Sequence, residues 1–206
     1  MSIITRIVAG KRNPSRANVY VDGKFAFALS IDEAVKNHLK PSLEITEETV
    51  EGLRAKDNAD KVYGKILNFL SFRPRSVKEV KDRLYQYEIK DVMEQKIIIE
   101  KLQSHGYLDD LTFAKWFIES RNTHKLKSPR LIRQELAAKG ISRELLDQVM
   151  TEVVSPEVTI SRLLSKKLGD KRHLNPAERQ KISAFLARQG FPWEKIAEVV
   201  KRFESE

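Results

Sequence analysis

No cysteine occurs in the 206 residues, which removes disulfides, thiolate zinc sites and iron–sulfur clusters together and suits a reducing cytosol. Histidine is scarce too. His38, His105, His124 and His173 are scattered with no His-x-x-x-His spacing, so no metal is expected. Glycine does not cluster: Gly10-Lys11 lacks the preceding glycine of a Gly-x-x-x-x-Gly-Lys phosphate cradle, and Gly-x-Gly-x-x-Gly is absent. Without a nucleotide loop, a metal set or a nucleophile with its base, no enzyme, catalytic residue or cofactor is expected. Long apolar runs are missing as well, since no stretch approaches the ~20 residues of a membrane-spanning helix. The opening MSIITRIVAGKRNPSR has only a short apolar-leaning start before its basic run, which is neither a signal peptide nor a span. A soluble, cytoplasmic protein with no membrane partner is expected.

Positive charge is plentiful. Lys and Arg number 38 against 29 Asp and Glu, a net +9, and such a balance implies a polyanion, either nucleic acid or a partner that carries it. The excess is +1 over residues 1–58 and +4 over each of 59–156 and 157–206. Spread in this way, it suits a long shallow contact better than a small pocket.

Residues 1–58 read as a strand-rich cap. Ile3 to Ala9, Ala17 to Val21 and Lys24 to Ala28 form the strands, with Asp22-Gly23 as a hairpin turn between the last two. Lys11, Arg12 and Arg16 lie on the tip of the first hairpin, where a solvated loop is favoured over a phosphate contact. Ser30 with Glu33 predicts a capping box for a short helix ending near His38, and Thr46 caps a second helix.

From Asn58 onward nothing reads as strand, and one pattern is written three times. SVKEVKDRL (76–84), SPRLIRQEL (128–136) and ERQKISAFL (178–186) align, and YQYEI, AAKGI and ARQGF follow them. The leucines Leu84, Leu136 and Leu186 recur at about 50 residues, the mark of a repeat architecture. The fold expected is mainly α: three tandem three-helix repeats, at 59–108, 109–155 and 156–206, in an elongated array behind the small α+β cap. Within the repeats, Ala59 to Leu70 is a helix stopped by Pro74, and Ser76 caps the next. Val92, Met93, Ile97 and Ile98 line the third, which ends at Gly106. Asp110 is the expected cap of Leu111 to Arg121, whose Phe113, Trp116 and Phe117 face a core. His124 to Lys127 is a polar linker, and Pro129, Pro156 and Pro176 open later helices.

The third helices of repeats one and two, DVMEQKIIIEKL and SRELLDQVMTEV, are too apolar or too acidic to enter a DNA groove. Cations gather instead on the connectors and second helices: Arg73, Arg75, Lys78, Lys81 and Arg83 in repeat one, then Lys125, Lys127, Arg130, Arg133 and Lys139 in repeat two. A solvated face explains any single lysine. Recurrence of the run at the same place in two units favours a binding stripe.

LSFRPRSVKEVKDRL, KLQSHGYLDDLTFAKWFIESR and SPRLIRQELAAKGI resemble the RecX family of bacterial recombination regulators. The resemblance is close over residues 59–154 and extends in arrangement to the third repeat, while the cap is similar to the extension of longer members. It implies a non-enzymatic monomer that binds the RecA recombinase filament on single-stranded DNA, bridging or capping subunits and suppressing ATP hydrolysis, strand exchange and co-protease activity. The alternative is an autonomous nucleic-acid-binding protein that uses the same stripe. Two positions depart from the family pattern. Ser128 stands where many members have glycine, and Glu88 replaces the glycine of the other two copies, so the first copy's helix end is expected to take another form.

Overall fold

The computed structural model describes residues 2–11 and 13–205, so Arg12 of the first hairpin lies outside the described residues. The chain divides into two compact units, Met1–Phe69 and Leu70–Glu206.

The first unit opens with β1 (Ser2–Ala9), β2 (Arg16–Val21) and β3 (Lys24–Ser30), then α1 (Ile31–Lys36), the two-residue β4 (Glu44–Ile45) and α2 (Glu47–Ser71). The antiparallel sheet has the order β3-β2-β1-β4. Its hairpin turn is where the Asp-Gly pair predicts it, with φ of 50° at Asp22 and 80° at Gly23. Alternation sends Ile4, Val19, Phe27 and Leu29 to one face, where Ile45, Val50 and Leu53 complete a core. Bulges between Ile4 and Arg6 and between Val19 and Tyr20 shift the register, and Arg6, Tyr20 and Phe25 come opposite one another on three adjacent strands. Ser30 caps α1 as expected, accepting from the Glu33 N–H at 3.2 Å. The Glu33 carboxylate turns instead to Lys56 at 2.5 Å. Thr46 caps α2 through the Thr49 N–H at 3.2 Å.

The largest departure in this part is α2 itself. Sequence reading places two helices with a break near Asn58; one helix of 25 residues runs through it. An aspartate in mid-helix competes for its own backbone, but Asp57 is buried. It is ion-paired to Arg16 on β2 and to Lys61 one turn on, the latter at 2.7 Å. With its carboxylate engaged there, the helix continues.

The second unit carries α3 (Val77–Gln86), α4 (Val92–Ser104), α5 (Asp110–Ser120), a π turn at Arg121–Lys125, α6 (Pro129–Ala138) and α7 (Arg143–Val149) with a 3-10 turn at Met150–Glu152. Then follow α8 (Pro156–Leu168), α9 (Pro176–Arg188) and α10 (Trp193–Ser205). The second and third copies have their own cores: Phe113, Phe117, Ile132, Leu136 and Leu146 in one, Ile160, Leu164, Ile182, Leu186 and Phe191 in the other.

Four local expectations change. Asp109, not Asp110, caps α5, accepting from the Thr112 N–H at 2.9 Å and the Leu111 N–H at 3.2 Å. Leu126 is not part of a polar linker: it is buried with the third copy's core and takes a left-handed φ of 46°. On α4 only Ile98, Ile99 and Leu102 are buried, while Val92, Met93 and Ile97 stay exposed, because their arc is too wide for one buried stripe. Glu88 ends α3 in the same way as the glycines end α6 and α9. Its φ is 65° against 84° at Gly140 and 85° at Gly190, and the Ile89 N–H returns to the Leu84 carbonyl at 3.1 Å.

The reason glycine is dispensable at Glu88 lies in what the other two positions face. A Cβ on Gly140 would lie 2.9 Å from Cβ of Lys78, and one on Gly190 would lie 2.5 Å from Ser128 Oγ and 2.7 Å from Leu131 Cγ. The start of each second helix therefore packs on the glycine turn that ends the second helix of the next copy. Glu88 is exposed and, among the described residues, pairs only with Lys90, at 2.5 Å.

Candidate partner-binding surface

The nine cations singled out by sequence, Arg73, Arg75, Lys78, Lys81, Lys125, Lys127, Arg130, Arg133 and Lys139, fall into groups with different environments. Pro74 forbids a helical Arg73, and the connector folds the Arg73 guanidinium back onto Glu79, with both nitrogens 3.1 Å from its carboxylate oxygens. The same guanidinium lies over the Trp116 ring at 5.1 Å, a cation–π contact with α5. Lys139, at the end of α6, reaches Glu79 at 2.5 Å. Lys78 Nζ donates to the Ala138 carbonyl at 2.8 Å, satisfying an orphan group at a helix C-terminus. Three of the nine thus fasten the first copy to the second.

Asp110 adds a further tie. Its carboxylate accepts from the Val77 N–H at 2.8 Å, so the aspartate that opens α5 serves the positive end of α3. One step along, the Ser128 N–H donates to the Gln189 carbonyl at 3.3 Å, while Ser128 Oγ caps α6 through the Leu131 N–H at 3.2 Å.

Within the second copy, Glu135 is gripped by Lys127 and by Arg121, the latter at 2.8 Å. Arg133 pairs with Asp147 on α7. Arg75 is half-buried, and burial, then the neighbouring charge of Arg73, pulls its pKa below the ordinary arginine value. Lys81, Lys125 and Arg130 are exposed and make no ion pair among the described residues. They are the part of the stripe most open to a partner. No group of acidic or histidine side chains among the described residues is arranged to hold a metal ion. Glu79, Glu135 and Trp116, the anchors of this surface, were legible only as a cap neighbour, a helix residue and a core aromatic. Their partners come from other elements, and sequence spacing carries no signal of them.

Two carboxylates here have opposite pH behaviour. Burial pushes Glu79 up, but the hydrogen bonds and charges of Arg73 and Lys139 outweigh it, so its pKa falls below the ordinary 4.5. Burial dominates at Asp110 and raises it above the ordinary 3.8, against the Val77 N–H. A lowered folded pKa contributes stability that is full above the unfolded value and is lost as pH falls through the folded one; a raised acid pKa costs stability as pH rises past the unfolded value. Breaking a fully buried pair costs 3–5 kcal/mol. Because Arg73 and Lys139 keep 30% and 40% of their exposure, Glu79→Gln should cost about 1–2 kcal/mol at neutral pH. In urea titrations that difference should shrink towards zero below pH 4.5, whereas Asp110→Asn, which keeps an acceptor for Val77, should be neutral or stabilising at pH 7. A Glu79→Gln deficit independent of pH would show that the carboxylate's charge is not what holds the two copies together.

Three-helix units in series, joined by contacts that recur from copy to copy, define a helical-repeat protein with a small α+β unit at its start. Family models match the chain in that order: the regulatory protein RecX N-terminal domain at residues 2–46, then the first, second and third three-helix domains of RecX at 63–92, 109–150 and 158–200. The regulatory protein RecX of Bacillus velezensis is 31% identical over 209 residues, covering 100% of this chain and 79% of the relative. That of Oceanobacillus iheyensis is 32% identical over 215 residues, covering 100% and 78%. A crystal structure of regulatory protein RecX superposes with a TM-score of 0.70 at 27% identity, covering 98% of this chain and 100% of that one. RecX from Lactobacillus salivarius, at 23% identity and a TM-score of 0.61 over 73% of this chain and 99% of that one, shares the fold. The chain belongs to the RecX family of regulatory proteins. Among the described residues no helix is long and apolar enough to cross a membrane.

Proposed function

We propose that this protein restrains the RecA recombinase by binding its filament on single-stranded DNA, bridging or capping subunits so that ATP turnover, strand exchange and co-protease activity fall. The observation that supports this reading is the recurrence of one fastening between copies. Lys78 and Gly140 meet between the first and second, and Ser128 and Gly190 between the second and third. Second helices whose starts each pack on the glycine turn of the next copy carry cations at corresponding places, Lys78 with Arg130 and Lys81 with Arg133, of which Lys81 and Arg130 stay unpaired among the described residues, as a partner made of repeating subunits requires. The stripe would meet acidic filament surface or DNA phosphate. The protein acts by binding alone, as a cytoplasmic monomer without cofactor or metal.

Steady-state ATP hydrolysis by RecA on single-stranded DNA, titrated with this protein at fixed salt, tests the reading. Inhibition is expected well below one protein per recombinase monomer and without comparable loss of free DNA. Inhibition only once the DNA itself is saturated would replace the filament by competition for the strand.

A further inference from the structure

The outer face of the N-terminal sheet, opposite its core, is not an ordinary solvated surface. Phe25 is 54% exposed and meets half-buried Tyr20 edge to face at 5.9 Å. The Arg6 guanidinium lies over the other side of this pair, 4.2 Å from the Tyr20 ring centre. With strands about 4.8 Å apart, these three side chains make a cationic, aromatic strip across β1, β2 and β3 in which Phe25 offers the exposed ring. It lines a depression of about 760 Å³ together with Lys11, Arg16 and Lys61. No Asp or Glu is among the described residues that line it. The nearby carboxylate, Asp57, is buried and already held between Arg16 and Lys61, so the groove keeps a positive balance.

We infer that this groove binds single-stranded polynucleotide, with a base stacked on the exposed Phe25 ring beside Tyr20 and the adjoining phosphates met by Arg6 and Lys11. The two halves of the site ask for different things, and one ligand class supplies both. Exposed ring faces beside a guanidinium plane suit unpaired bases, and clustered cations suit phosphates. A duplex keeps its bases stacked on one another and leaves the rings unused. An acidic peptide would use the cations and likewise ignore Phe25. This site goes beyond the recombinase reading and stands apart from it, since every residue involved lies within residues 2–69.

The test contains no recombinase, so its failure and that of the filament reading are separate. The full chain is titrated into a short fluorescein-labelled oligodeoxythymidylate, and a matching oligonucleotide carrying 5-iododeoxyuridine is photocrosslinked and mapped by mass spectrometry. Crosslinks are expected at Tyr20 or Phe25. The single strand should bind more tightly than a duplex of equal length. Arg6→Ala with Phe25→Ala, both exposed positions, should weaken binding roughly ten-fold or more at an unchanged thermal midpoint, and Phe25→Leu should show the loss of the ring with apolar bulk retained. Crosslinks confined to residues 70–205, no measurable binding, or a folded double variant that binds as tightly as the parent would each overturn the assignment.

Discussion

Gly190→Ala should lower stability by about 3 kcal/mol, the largest loss expected at any of the left-handed glycines. The left-handed φ of 85° at Gly190 costs any L side chain about 1 kcal/mol. The added Cβ would also enter the contact between the second and third copies, 2.5 Å from Ser128 Oγ and 2.7 Å from Leu131 Cγ. Ser128 cannot yield freely, because its hydroxyl caps α6 and losing a cap costs about 1 kcal/mol. Overpacking of a tight site adds roughly 1–3 kcal/mol. Gly106→Ala is the control: φ is 71°, and a Cβ there meets nothing within 4 Å, so only the backbone cost of about 1 kcal/mol remains. Urea unfolding followed by circular dichroism reads both. Equal losses at Gly190 and Gly106 would mean that the copies are not pressed together at that turn.

The converse holds in the first copy. Glu88 bears the same left-handed strain, at φ 65°, on an exposed turn, so Glu88→Gly should gain up to about 1 kcal/mol. In repeat proteins, stability is nearly a sum of terms within units and terms between neighbours. Substitutions at Gly190 and Glu88 act on different terms of that sum and should add when combined.

The positions that sequence reading placed correctly are those whose cause is local. The Asp22-Gly23 turn needs only its own two residues, Ser30 and Ser76 cap the N–H groups three residues on, and Leu136 and Leu186 of the leucine period fall in the cores of the second and third copies. What sequence reading misplaced depends on distant partners. Asp57 lets α2 run through Asn58 because Arg16, 41 residues earlier, holds its carboxylate. Asp109 and Asp110 look equivalent as caps until Val77, 33 residues away, claims the second. Glu88 is anomalous beside Gly140 and Gly190 only on φ, whereas the close approach of the preceding copy is what excludes a side chain at the other two. The cationic stripe was legible as composition. Its division into fastenings and open charges was not, because Lys139 finds Glu79 across 60 residues.

That division sets the second large expectation. If the protein restrains RecA as proposed, Lys81→Glu, Lys125→Glu and Arg130→Glu together should raise the concentration needed to half-inhibit RecA-driven ATP hydrolysis by roughly ten- to a hundred-fold, since each reversal replaces attraction to an anionic partner by repulsion. The unfolding free energy should stay within about 1 kcal/mol of the parent, because these exposed side chains hold no ion pair among the described residues, and the small loss that remains is expected from Lys81, whose charge favours the Asp110 carboxylate. Arg73→Ala should behave differently. It removes the fork on Glu79 and the stacking on Trp116, so it should cost stability by about 1–2 kcal/mol and affect inhibition only as far as the fold loosens. Reducing the salt concentration should strengthen the parent's interaction but leave the triple-reversal variant weak, as expected for contacts that act through charge. If the triple variant inhibits like the parent while Arg73→Ala does not, the partner reads the fastened connector and not the open cations, and the binding surface must be redrawn around Arg73, Glu79 and Trp116.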